Sequence, residues 1–150
     1  MHDAPLSAVA RTLALGLVAG LAIVSPACGG ARKNECRMLE EFLDGEVPWQ
    51  GAPRQAEMNQ AGQAANWRWR AERAGERATA AAALALTEPD LVSLRAEITA
   101  HYGALVQSAN ATAAALERGD NAGLNAGAAA FDQRNNGRDA LLQRLDTTCH

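Results

Sequence analysis

From Ala64 onward, small or aromatic residues recur at Trp67, Ala71, Ala74, Ala78, Ala81 and Ala85, in alternating steps of three and four without a miss. Strand side chains alternate with a period of two, so this spacing fits one face of a helix and nothing else. Between those positions Arg68, Arg70, Glu72, Arg73, Glu76 and Arg77 make a solvated face. Glu72 can pair with Arg68 four residues earlier on it. A seam of small residues lets a second helix backbone come close, so the segment calls for helical neighbours. The spacing predicts a helix from about Arg54 to Leu86.

Punctuation divides the remainder into further helices. Cys36, Leu39 and Leu43 share a face of a first helix, Arg32 to Asp44, that Gly45 ends. Glu46 to Pro53 holds two prolines and Gly51, which reads as a loop. Thr87-Glu88-Pro89-Asp90 matches a capping box, with Thr87 accepting from the amide near Asp90 and Pro89 where a missing N–H costs nothing. The third helix then runs to Arg118 with Leu91, Leu94, Ile98, Tyr102, Leu105, Ala109, Thr112 and Leu116 inward. Gly119 is placed to end it, and Asp120 or Asn121 to cap a fourth. That last helix carries Leu124, Ala128, Phe131, Leu142, Leu145 and Cys149 on one stripe. No proline follows Pro89 and β-branched residues are few, so no strand is expected. The expected fold is all-α, an antiparallel four-helix bundle with a short first helix, over residues 32–150.

The first residues read differently. Arg11 precedes an apolar run from Leu13 to Val24, followed by small residues and a cysteine. That is the layout of a secretory signal peptide over residues 1–27. At about a dozen residues, the run is well short of the ~20 that span a bilayer. Val24-Ser25-Pro26-Ala27-Cys28 resembles the lipobox of bacterial lipoproteins, with Ser25 where that family favours an aliphatic residue and Pro26 unusual beside it. The resemblance implies that Cys28 is lipidated, with a diacylglyceryl group and a fatty acid such as palmitate, and becomes the new N-terminus. Gly29-Gly30-Ala31 would complete a flexible tether over residues 28–31. Ordinary cleavage after Ser25-Pro26-Ala27 is the alternative and would release a soluble protein. Beyond the leader, the domain resembles small secreted helical-bundle proteins of no assigned function.

Three cysteines, Cys28, Cys36 and Cys149, are an odd count for an exported chain. Lipidation of Cys28 leaves Cys36 and Cys149 as an even pair in an oxidising compartment, where a disulfide persists; two buried free thiols are the alternative. A length check permits the bridge. Ten residues of helix from Cys36 descend about 15 Å, and the extended loop adds at most about 26 Å. Their sum nearly reaches the far end of a second helix about 50 Å long.

Composition narrows function mainly by exclusion. The net charge is −3, and it is unchanged when the leader takes Asp3 and Arg11 with it. Arginines and carboxylates are interleaved, so nucleic acid is not an expected partner. The stripe of the fourth helix breaks at Asn135 and Arg138. Counting along the helices sets Arg138 level with His101 and Asn135 near Ala104. His101, Tyr102, Asn135 and Arg138 would then form a polar layer able to hold a small anionic ligand, or else a partly exposed polar patch where Gly137 loosens the helix. Buried polar groups need partners in either case. Cys149-His150 lacks the upstream cysteine of a covalent haem motif, and Ile98 stands where a Glu-x-x-His pair needs its acid. No metal or cofactor is expected. Trp67 is expected in the core, and Trp69 under the first helix or the loop carrying Trp49, although an aromatic–arginine contact surface with Arg68 and Arg70 is the other reading. No nucleophile pairs with a base and no phosphate loop occurs, so no enzyme is expected. The expected role is a lipid-anchored structural or binding module of a Gram-negative envelope, at the outer membrane and facing the periplasm or the surface, contacting another envelope protein or a cell-wall component. The alternative is a soluble periplasmic binder of a small ligand or cofactor at the His101–Arg138 layer.

Overall fold

The computed structural model describes residues 28–45 and 59–150. The leader and the expected loop from Glu46 to Pro53 lie outside the described residues, as does the stretch from Arg54 expected to open the second helix. The regular structure of the described residues is helical: α1 Cys28–Asp44, α2 Gln60–Ala82, α3 Pro89–Arg118, α4 Asn121–Asn136 and α5 Arg138–Cys149. The arrangement is a helical bundle, and no strand occurs among the described residues. None of their helices is long and apolar enough to cross a membrane.

α3 is the axis of the molecule, in contact with every other helix. All eight positions predicted to point inward, from Leu91 to Leu116, are buried. α2 lies against it along the alanine seam, where Ala64, Trp67, Ala71, Ala74 and Ala81 are buried and Ala78 is partly so. Ala85 does not join them. α2 ends at Ala82, and Ala85 is exposed in the turn that follows. Arg68 near the start of α2 forks onto Glu117 near the end of α3, at 2.7 and 2.8 Å. It takes that partner rather than Glu72. At the other end Arg95 donates to the Leu84 carbonyl at 2.6 Å.

Local chemistry sets most boundaries. Asn59 accepts from the Gly62 amide at 2.8 Å and caps α2, and Asp120 accepts from Gly123 at 2.9 Å and caps α4. Gly119 ends α3 in the left-handed conformation, φ 68°, which glycine adopts without a Cβ clash. α4 crosses α3 at Gly127, where a Cβ would stand 2.5 Å from Thr112 Oγ1 and 3.2 Å from the Thr112 backbone. Only a glycine permits that approach.

Two expectations are corrected. The fourth helix is not continuous, because Asn135-Asn136-Gly137 is a run of poor helix formers. There the Gly137 amide turns back to the Arg134 carbonyl at 2.9 Å and separates α4 from α5. α1 begins at Cys28 and so takes in residues 28–31, the expected flexible tether. Thr87 does not close a capping box, and no side chain of its own segment caps α3. Its partner comes from α1.

Candidate functional site

Arg32 lies one turn before the adjacent Glu35 and Cys36 on the same face of α1, continuing the apolar stripe of Leu39 and Leu43. Glu35 fastens the helix to the start of α3, Cys36 to the end of α5, and Arg32 to both. The Glu35 carboxylate, only 7% exposed, accepts from the Thr87 hydroxyl at 2.6 Å, the Thr87 amide at 3.0 Å and the Glu88 amide at 3.1 Å. These are groups at the mouth of α3, where unpaired amides and the helix dipole favour an anion. The Thr87 hydroxyl and the Glu88 amide hold the carboxyl of Glu35 below its ordinary range.

Arg32 forks onto Asp90 at 2.7 and 3.2 Å and gives a further bond of 2.7 Å to the Thr148 carbonyl in the last turn of α5. The hydrogen bond from Arg32 lowers the Asp90 pKa and raises that of Arg32 itself. Cys36 is bonded to Cys149, with Cα atoms 5.9 Å apart across a sequence separation of 113. That spacing is ordinary for a disulfide.

The far end of α1 is held by two more arginines. Arg77 of α2 donates to the Phe42 carbonyl and Arg138 of α5 to the Leu43 carbonyl. Both acceptors lie in the final turn, where carbonyls lack a helical partner and cations suit the dipole. The Arg77 guanidinium also lies over the Phe42 ring, 3.9 Å from its centroid, and 5.6 Å from that of Tyr102.

Of the residues expected to form a polar layer, His101, Tyr102 and Arg138 lie near this end of α1. His101 is half-buried and meets the Tyr102 ring edge-on at 5.3 Å. Burial, and then the charge of Arg138, lower its pKa. Tyr102 is buried and meets Phe42 edge-on at 6.1 Å. Asn135 is half-buried near the end of α4 and takes no part in these contacts. Arg138, the residue expected to receive an anion, instead completes the end of α1.

Trp67 is in the core, edge-on to Phe131 at 5.2 Å. The Arg70 guanidinium stacks 5.0 Å from the Trp67 centroid, and burial lowers its pKa despite nearby Asp132. Trp69 is half-buried beside Arg73. No group of residues suited to hold a metal ion occurs among the described residues.

A groove runs past the fastened end of α1, lined by Arg32, Lys33, Arg37, Glu40, Cys149 and His150. Sequence reasoning missed Arg32, Glu35 and Arg77. The spacing of Arg32, Glu35 and Cys36 on an apolar stripe was the available signal for the first two. In comparisons with known proteins no family model matches the chain, and no curated protein or solved structure is significantly similar to it.

Proposed function

We propose that the protein is exported, is lipidated at Cys28, and serves the envelope as a small antiparallel helical bundle that binds a protein or cell-wall partner. The observation that carries this reading is where the fastenings lie. α1 starts at Cys28, and within its next two turns Arg32, Glu35 and Cys36 tie it to the mouth of α3 and the end of α5. A lipid on Cys28 would hold the bundle by its most firmly joined end. Two or more acyl chains give stable membrane attachment where one does not. The antiparallel reading is supported by the pairing of the start of α2 with the end of α3 through Arg68 and Glu117.

In the soluble ligand-binding alternative, Arg138 would have to serve the ligand and the Leu43 carbonyl at once. Intact mass of membrane and soluble fractions from a bacterial host tests the proposal. The expected product is a membrane species that starts at Cys28 and is heavier by a diacylglyceryl group and a fatty acid. Cys28→Ser should abolish it. An unmodified soluble chain from the parent sequence would refute the anchor.

A further inference from the structure

We propose that Cys36–Cys149 is an exchangeable disulfide, opened by an external thiolate that enters the groove, attacks Cys149 Sγ and expels the Cys36 sulfur. Both cysteines line the groove, but unequally. Cys36 is 7% exposed under α1, whereas Cys149 is half-buried at the last residue of α5. That asymmetry decides which sulfur an incoming thiolate reaches.

The surroundings suit the chemistry. Arg32, Lys33 and Arg37 stand four and three residues before Cys36 and one after it. Arg32 is engaged by Asp90 and Arg37 by Glu41, but Lys33 has no ion pair among the described residues. Glu40 is the carboxylate facing the groove, and His150, beside Asp146, closes its rim. Burial of Cys36 disfavours its thiolate, nearby cations offset that, and a less basic leaving sulfur departs faster.

The step balances. The thiolate bonds to Cys149 and the S–S electron pair leaves on Cys36. With a dithiol reagent, its second thiolate then attacks the new mixed disulfide and releases Cys149. The reagent is oxidised to its own disulfide, and the protein gains two electrons and two protons. Opening the bridge leaves α1 in place, because the bonds of Arg32, Glu35, Arg77 and Arg138 and the burial of Leu39 and Leu43 do not depend on it. The inference stands whether or not Cys28 carries lipid.

The test uses the exported Cys28→Ser chain in native buffer, treated with glutathione or with dithiothreitol, quenched in acid and mapped by mass. Glutathione on Cys149, full reduction by the dithiol with unchanged helicity, and several-fold slower opening in a Lys33→Ala/Arg37→Ala variant are expected. Glutathione on Cys36 would overturn the proposal. So would opening only at the rate of global unfolding, or equal rates in the charge variant and its parent.

Discussion

Glu35 occupies the position that a capping side chain of α3 would take, accepting from Thr87 through both its hydroxyl and its amide, 52 residues along the chain. A helix end closed by a distant side chain couples two boundaries that local caps leave independent. Glu35→Ala should therefore lower the melting temperature by several degrees and loosen α1 together with the start of α3. Glu35→Gln, which keeps an acceptor, should cost less. Hydrogen exchange at Thr87 and Glu88 reads the local effect.

Acid should destabilise the protein in two stages. Folded His101 has a pKa below its ordinary 6.5, so the unfolded chain takes up that proton first. Stability is then full above pH 6.5 and falls as pH drops towards the lowered folded value. Glu35 and Asp90 are lowered from 4.5 and 3.8, so their contribution is full above those values and is lost as pH falls through the folded ones. Thermal melts against pH should show the first decline vanish in His101→Gln and the second shrink in Glu35→Gln.

Arg138→Ala should cost about 1–2 kcal/mol, as loss of a charged donor to a helix-end carbonyl does. Its signature is separate from stability. The His101 pKa should rise part of the way towards 6.5, since burial, the larger cause, remains. An NMR titration of the His101 ring measures it.

Two glycines should respond oppositely to alanine. Gly127→Ala drives a Cβ against the Thr112 backbone at 3.2 Å and should cost about 1–3 kcal/mol. Gly103, within α3, has nothing within 4 Å of such a Cβ. Its replacement should stabilise by about 0.5–1 kcal/mol. Urea denaturation of both variants settles the signs.

The helices were legible because burial writes a period into each of them. Leu91 to Leu116 recur every three or four residues, and every one of those positions is buried. The ends were less legible. Thr87 and Asp90 look like a local cap in the sequence, yet Thr87 bonds to Glu35 and Asp90 to Arg32, pairs separated by 52 and 58 residues that leave no periodic trace. Arg138 was read for its charge as an anion receptor. Its partner is a backbone carbonyl, an acceptor present at every residue and therefore invisible in composition. The break at Gly137 was visible as a loosening, but its separation of two helices depended on the Arg134 carbonyl, which no side-chain pattern reports.

The bond between Cys36 and Cys149 also has a mechanical meaning. A pull applied between the start of α1 and the end of α5 passes through less than three turns of helix and then across the sulfurs, leaving slack the chain between two cysteines 113 positions apart. Tension of that kind bypasses most of the core. The closed molecule would transmit force as a short, stiff link, and the opened one would yield helix by helix.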